Sequence, residues 1–157
     1  MGPARNAHHF AVDAHVKAFL PGGRGARWGG IRSAMEKAWK SRAVAAADVV
    51  SVVRSNTNVF VHGACATPTP LLEAMCQRRD LEDVRLYHLH TAGPAPFAER
   101  GREREFRSVS LFTGAPLRTS IAENRADFVP IFLSDIPGLF ISGNVPLDVA
   151  VLQVSPP

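Results

Sequence analysis

The stretch NVFVHGACATPTPLLEAM, residues 58–75, decides the fold because it combines a strand, a tight turn and the beginning of a helix. Residues 59–61 (Val-Phe-Val) form a short apolar run that is typical of a buried parallel strand. Gly63 allows the sharp turn that follows, and Thr69 and Pro70 suit the N-cap and the first position of a helix. Ligands in open α/β sheets bind outside the carboxyl ends of such strands, so the sequence predicts one wall of a site here.

The rest of the chain alternates between helical and extended patterns on both sides of this stretch. Residues 98–107 are densely charged with signs that nearly cancel, which indicates a solvated, partly helical excursion. The remaining patterns predict helices over 43–55, 70–79 and 114–125, a helical turn at 137–140, and strands over 84–90, 109–112, 128–133 and 149–154. This alternation predicts an α/β fold with a mainly parallel open sheet and flanking helices. The final apolar strand has little after it, so we expect the domain, residues 43–157, to be truncated at its C-terminus.

Composition excludes several classes of protein. The chain has 157 residues, of which 46% are hydrophobic, and this is ordinary for one globular domain. No apolar run approaches the roughly 20 residues that span a bilayer, so we expect no membrane partner. The two cysteines, Cys65 and Cys76, show no repeated spacing and favour a reducing compartment over a disulfide framework.

Positive charge is concentrated at the N-terminus. Residues 1–42 contain eight Lys/Arg against two acidic residues, whereas residues 43–157 contain ten against twelve. Arg-rich, acid-poor N-termini resemble organelle transit peptides, although Asp13 and the scarcity of serine weaken the match. We predict that 1–42 is a disordered basic leader and that the protein is mitochondrial, with a cytoplasmic location as the alternative. Two alternatives stay open: the leader carries no targeting signal, or it comes from a wrongly assigned first exon. The folded part is not basic, so we expect no nucleic-acid partner.

Four motifs carry a resemblance to a known family. They are HGACATP (62–68), LYHLHTAGPAP (86–96), RADFVPIFLSDIP (125–137) and PLDVAVLQVSPP (146–157). In this order and spacing they resemble the N-terminal half of the acetyl-CoA hydrolase/transferase family, and within it the acetate- and 4-hydroxybutyrate-type CoA-transferases. The resemblance covers residues 43–157 and leaves out the leader. It implies an enzyme that exchanges CoA between acetyl-CoA, or another short acyl-CoA, and a small carboxylate such as acetate, succinate or 4-hydroxybutyrate.

The resemblance also implies a covalent mechanism. In this family a glutamate attacks the thioester to give a mixed anhydride and then a glutamyl-CoA thioester. That glutamate lies in the C-terminal half of a longer chain, and none of the glutamates here lies in a matching motif, so no catalytic residue is assigned. CoA thioester is expected as a substrate and no cofactor as permanently bound. We expect the isolated chain to be inactive, with a homo-oligomer or a complementary C-terminal half as its partner. Two alternatives are an acyl-CoA hydrolase and a non-catalytic truncated partner of a complementary half.

The resemblance places the acyl-carboxylate pocket at the loop after the first strand and at the ends of two further strands. The expected substrate-binding residues are Gly63, Ala64, Cys65, Ala66, Thr67, His90, Thr91, Gly93, Gln153 and Ser155. Simpler roles stay open for several of them. Gly63 can serve the turn alone, Thr67 can cap the helix, and Gln153 can be a buried polar group paired with backbone.

Two other chemistries are weaker readings of the same residues. His88 and His90 alternate on one predicted strand and resemble a metal pair, but no third ligand follows at useful spacing, so no metal site is expected. Cys65 lies on a turn near His62 and before a helix, where a thiol can become a nucleophile. This would give a thiol-dependent hydrolase, although a small packed residue is the favoured reading.

Overall fold

The computed structural model describes residues 10–11 and 43–154. Within these residues the chain forms seven strands and four α-helices. The strands are β1 (Phe10–Ala11), β2 (Ala43–Val44), β3 (Asn58–Val61), β4 (Val84–His88), β5 (Phe106–Ser110), β6 (Ala126–Phe128) and β7 (Val149–Val151). The helices are α1 (Ala46–Val50), α2 (Thr69–Gln77), α3 (Arg118–Ala122) and α4 (Ile136–Ile141), with short 3₁₀ turns at Pro96–Ala98, Ala115–Leu117 and Leu133–Asp135.

Five strands form one parallel sheet in the order β6-β5-β4-β3-β7. The strand β3 lies inside it, where Val59 pairs with Leu86 of β4 on one side and with Val149 of β7 on the other. This position confirms the prediction of a mainly parallel α/β sheet. It also fits the apolar sequence of β3, in which Val59 and Val61 are buried on one face and Phe60 is partly buried on the other.

The hydrophobic core lies between one face of this sheet and α2. Val59 and Val61 are fully buried on that face, and Leu72 and Met75 of α2 pack into the same cluster. Complete burial of each such side chain contributes about 1.5–3 kcal/mol. On the opposite face Phe140 of α4 makes edge contacts with Phe60 and Tyr87, at ring-centroid distances of 5.8 and 6.1 Å. The two faces are therefore covered unequally, and α2, which follows the loop after β3, packs on the more completely covered face.

The predicted helix over 43–55 is wrong in its extent. Only α1 is helical, and Ala43–Val44 pair as an antiparallel strand with Phe10–Ala11. The guanidinium of Arg78 donates hydrogen bonds to the carbonyl oxygen of Val50, at the end of α1, and to that of Val53 just beyond it, at 2.8 and 2.6 Å. A side chain distant in sequence thus satisfies carbonyls at and after the end of this short helix.

Two strands are predicted too far towards the C-terminus. The strand predicted at 109–112 begins at Phe106, inside the segment predicted to be a charged excursion. A strand can include the charged Arg107 because its guanidinium pairs with Asp127 of the neighbouring strand β6. The strand predicted at 128–133 is β6, and it ends before Pro130, which has no N–H to donate to a ladder. The predicted N-cap at Thr69 is also wrong, since Thr69 is the first helical residue and Pro68 precedes it without a side-chain cap.

Most of the predicted leader lies outside the described residues, as does Ser155. The two described leader residues, Phe10–Ala11, form β1. None of the helices in the described part of the chain is long and apolar enough to cross a membrane.

Candidate functional site

The five parallel strands end at the same edge of the sheet, so the loops that leave them are neighbours. The loop after β3, residues 62–68, lies beside the segment after β4, residues 89–95. A parallel bridge between Ala64 and Thr91 joins the two just beyond the strands. The predicted site residues of these two loops are therefore brought together at one edge.

The contact between the two loops is very close at Gly63. A β-carbon at this position would lie 2.8 Å from the carbonyl oxygen of His90, so only glycine allows the approach. The next residue, Ala64, donates its N–H to the same oxygen at 2.5 Å. Ala64 also has φ at 52°, a left-handed conformation that costs free energy in a residue with a β-carbon. The loop is thus held in a strained shape by its neighbour.

Thr67 closes the loop from within. Its hydroxyl donates to the carbonyl oxygen of Ala64 at 2.8 Å and accepts from the N–H of Ala92 at 3.1 Å. The side chain is buried, and the N–H of Ala66 donates to the carbonyl oxygen of Gly63 at 3.1 Å. A hydroxyl can donate one hydrogen bond and accept two, so Thr67 uses two of its three hydrogen bonds to hold the shape of the loop.

Two backbone N–H groups of the loop have no acceptor within residues 10–11 and 43–154. Among the described residues, the N–H groups of Gly63 and Cys65 donate to no backbone or side-chain group. Cys65 is exposed at the sheet edge, directly after the left-handed residue Ala64. Backbone amides fixed in a turn bind anions, because their donors need no reorganisation when the ligand arrives.

A buried polar layer supports this edge from below. His88, at the end of β4, is completely buried; its Nε2 lies 2.8 Å from the Ser108 hydroxyl and its Nδ1 lies 3.1 Å from the Thr91 hydroxyl. Burial lowers the pKa of His88 from 6.5 to about 4, so the ring is neutral at physiological pH. His88 thereby links β4, β5 and the bridge residue Thr91 without carrying charge.

The suggested metal pair is not assembled. Because β4 ends at His88, His90 lies beyond the strand and is exposed, while His88 is enclosed by Ser108 and Thr91. Within residues 10–11 and 43–154, no group of three or more His, Cys, Asp or Glu is arranged to hold a metal ion.

The other predicted residues take no part in the bridge between Ala64 and Thr91. Gly93 is exposed in a turn with φ at 77°. Gln153 is exposed after β7, so the reading of it as a buried polar group is wrong; its carbonyl oxygen lies 3.1 Å from Nδ1 of His62. Cys65 is exposed, and among the described residues its sulfur is hydrogen-bonded to neither histidine of these loops.

Sequence reasoning missed two residues at this edge, Phe112 and Gly114. The Phe112 ring lies 5.6 Å from the ring of His90, at an interplanar angle of 50°. A β-carbon at Gly114 would lie 3.2 Å from the carbonyl oxygen of Thr91, so this glycine lets the segment after β5 approach the bridge. The sequence signal for them is an aromatic residue just after a strand, followed two positions later by a glycine that allows close packing.

Comparison with known families agrees with this architecture. The acetyl-CoA hydrolase/transferase N-terminal domain matches residues 31–157 of the chain. The chain belongs to this family. The expectation drawn from the four sequence motifs is confirmed, and the match starts upstream of residue 43, within the segment predicted as leader.

Two curated relatives are similar to this family member. A succinyl-CoA:acetate/propanoyl-CoA:succinate CoA transferase of Fasciola hepatica is 46% identical over 108 residues, which are 67% of this chain and 22% of the relative. The 4-hydroxybutyrate coenzyme A transferase of Clostridium kluyveri is 31% identical over 123 residues, which are 78% of this chain and 29% of that protein. The chain thus spans less than a third of the length of the curated relatives it matches.

Solved structures show the same fold. The 4-hydroxybutyrate CoA-transferase of Porphyromonas gingivalis superposes with a TM-score of 0.51 and 27% identity, over 78% of this chain and 27% of that one. RipA of Yersinia pestis superposes with a TM-score of 0.61 and 20% identity, over 69% of this chain and 28% of that one. The family domain therefore has solved counterparts with the same α/β arrangement.

Proposed function

We propose that this chain provides the carboxylate-binding wall of a CoA-transferase. The complete enzyme would exchange CoA between acetyl-CoA, or another short acyl-CoA, and a small carboxylate such as acetate, succinate or 4-hydroxybutyrate. Membership of the family and the activities for which the two curated relatives are named support this reaction class. An acyl-CoA hydrolase is the alternative, since the family includes both reactions.

The observation that carries the proposal is the pair of backbone donors at Gly63 and Cys65. The loop around them is fixed by the Ala64 contact to His90 and by the two hydrogen bonds of Thr67. A carboxylate has two acceptor oxygens, and a tetrahedral oxyanion has one that gains charge during acyl transfer. Preformed amides can donate hydrogen bonds to the carboxylate or to the oxyanion. They stabilise most strongly the oxygen on which negative charge develops.

In the described part of the chain, the segments that directly follow the five sheet strands contain no acid that could act as a nucleophile. The loops that leave the carboxyl ends of the five described sheet strands, residues 62–68, 89–95, 111–114, 129–132 and 152–154, contain no Asp or Glu. Glu73 is exposed on α2, and Glu105 lies near Arg79 and Arg102. We therefore propose that the chain alone performs no acyl transfer and needs a complementary C-terminal half, in the same protein or in a partner.

Carboxylate binding can be tested without catalysis. The purified 157-residue chain, labelled with ¹⁵N, is titrated with sodium acetate at constant ionic strength, and the amide shifts are followed. We expect saturable shifts at Gly63 and Cys65. Acetamide, a neutral molecule of the same shape, is the matched control and should leave both amides unmoved. Equal responses to acetate and acetamide, or none to acetate, would overturn the proposal.

Catalysis is tested separately with the same chain. It is incubated with acetyl-CoA and succinate, and CoA thioesters are separated by chromatography. We expect neither succinyl-CoA nor free CoA above the rate without protein. Formation of succinyl-CoA would show that the chain is sufficient for transfer, whereas free CoA alone would favour the hydrolase. If Cys65→Ala then abolished that hydrolysis, the thiol-dependent reading would replace this one.

The leader carries a separate proposal about location. We propose that residues 1–42 direct the protein to mitochondria, on the basis of eight Lys/Arg against two acidic residues. Residues 1–42 fused to a fluorescent protein should colocalise with a mitochondrial marker. A variant with Arg5, Arg24, Arg27 and Arg32 changed to Glu should stay in the cytoplasm. Cytoplasmic fluorescence of the unmodified fusion would leave the leader without an address.

A further inference from the structure

An exposed aromatic side chain, Phe112, lies on the segment after β5 and contacts His90. Phe112 follows β5 by two residues and is 49% exposed, whereas its neighbour Leu111 is buried. The backbone fixes this alternation, because the N–H of Leu111 donates to the carbonyl oxygen of His88 at 2.8 Å. The Phe112 ring is therefore held at the sheet surface.

Phe112 is connected to the loop through His90. One side of its ring packs on the His90 imidazole, and the His90 carbonyl oxygen is the acceptor of the Ala64 N–H. Gly114 keeps the segment close, with His90 Cε1 at 3.6 Å from the position that a β-carbon would take. His90 thus connects the two elements: its side chain contacts the phenyl ring, and its backbone is bonded to the loop that carries the two amide donors.

We propose that Phe112, backed by His90, is the specificity-determining wall that contacts the aliphatic chain of the substrate carboxylate. This inference rests on the proposed function, because it places the carboxylate on the Gly63 and Cys65 amides. The ligand class is a short, unbranched aliphatic monocarboxylate, whose carboxylate binds the amides and whose methylenes contact the ring. Each methylene that contacts the ring is removed from water on the side that faces the ring.

The expected effect is a rise in affinity with chain length. Complete burial of a methylene gives about fourfold in affinity, and contact on one side gives about twofold. Butyrate should therefore bind the chain about fourfold more tightly than acetate, with propionate between them. The dissociation constants come from ¹⁵N titrations of the 157-residue chain, followed at the Gly63 and Cys65 amides.

Substitutions locate the source of that rise. Phe112→Ala should make acetate, propionate and butyrate bind equally, while Phe112→Leu should keep about half of the gain. Phe128→Ala is the matched control, because Phe128 is also 49% exposed at a strand end of the same sheet edge but does not contact His90. Its chain-length dependence should equal that of the unmodified protein. A second measurement needs no substitution: butyrate methyl protons should show intermolecular NOEs to the Phe112 ring.

The outcomes separate the two proposals. A chain-length gain that is lost in Phe112→Ala, kept in Phe128→Ala and accompanied by the NOEs supports the wall. Saturable acetate binding with no chain-length gain, or with a gain that survives Phe112→Ala, overturns the wall and leaves the proposed function in place. If no carboxylate shifts the Gly63 and Cys65 amides, both proposals fail.

Discussion

The α-carbon of Gly63 lies so close to the carbonyl oxygen of His90 that any β-carbon at position 63 would come within 2.8 Å of it. The two residues follow neighbouring parallel strands, and the Ala64 N–H is bonded to the same oxygen. Together with the Ala92 N–H bond to the Thr67 hydroxyl, this acceptor holds the two loops of the candidate site together. The geometry of the candidate site depends on a glycine that itself offers no side chain.

Gly63→Ala should destabilise the fold by about 2 kcal/mol, because neither of the two backbones can move without breaking strand pairing. Chemical denaturation of both proteins gives the free energy of unfolding. Gly138→Ala is the control: this glycine lies inside α4, and nothing lies within 4 Å of the position of its β-carbon. That variant should be unchanged or slightly more stable. Equal effects at the two positions would contradict the close approach at Gly63.

His88 should make the stability depend on pH. Its folded-state pKa of about 4 lies below the ordinary 6.5 because the ring is buried, so the unfolded chain binds the proton more readily. The free energy of unfolding is therefore lower in acid, and it increases as the pH rises from about 4 to 6.5. Between pH 5 and 7.5 we expect His88 to contribute a gain of about 2 kcal/mol.

Denaturant titrations at the two pH values measure this gain, and His88→Gln should remove most of the difference because glutamine does not titrate. His90→Gln is the control, since His90 is exposed, and it should keep the full difference. A pH dependence that is unchanged in His88→Gln would show that other groups cause it.

Arg78 should contribute more to stability than its neighbour Arg79. Removal of the Arg78 guanidinium leaves the carbonyl oxygens of Val50 and Val53 without this donor, and we expect a loss of about 2 kcal/mol for Arg78→Ala. Arg79 is largely exposed, with one long contact to Glu105 at 3.4 Å. Arg79→Ala should cost less than about 0.5 kcal/mol. Thermal or chemical denaturation ranks the two, and an equal loss would contradict the role given to Arg78.

The two thiols should react at very different rates. Cys65 is exposed, whereas Cys76 is buried and its burial raises the pKa of its thiol to about 12. Alkylation with iodoacetamide at pH 8, followed by mass spectrometry, should modify Cys65 in the native protein and Cys76 only after unfolding. Acetate at saturating concentration should slow the reaction of Cys65, with equimolar sodium chloride as the control. Protection by chloride alone would indicate a salt effect rather than binding.

Much of the fold follows from local patterns. The apolar run at β3 and the glycine after it predict a buried parallel strand and a turn, and the family motifs place the expected pocket on the same loop. The errors arise where distant side chains decide the outcome. Nothing near residue 50 indicates that Arg78 will take the carbonyls at the end of α1, and the charge of Arg107 hides a strand until its pairing with Asp127 is known.

The candidate site shows the same division. Residue types predict that Gly63 and Thr67 lie in a functional loop, but not that the Thr67 hydroxyl is used by Ala64 and Ala92. The role of Phe112 depends on the contact of β5 with β4, which periodicity does not reveal. Local chemistry therefore identifies the loop, whereas the pairing of strands determines which groups remain available to a ligand.

The position of β7 beside β3 has a consequence for the order of folding. The strands β3, β4, β5 and β6 pair as successive neighbours, but Asn58 at the start of β3 is bonded to Asp148 and Pro146, about ninety residues away. During synthesis β3 must wait with one edge open until these residues leave the ribosome. Because distant pairings form late, we expect β7 to close the sheet last and the nascent chain to be most prone to aggregation just before it.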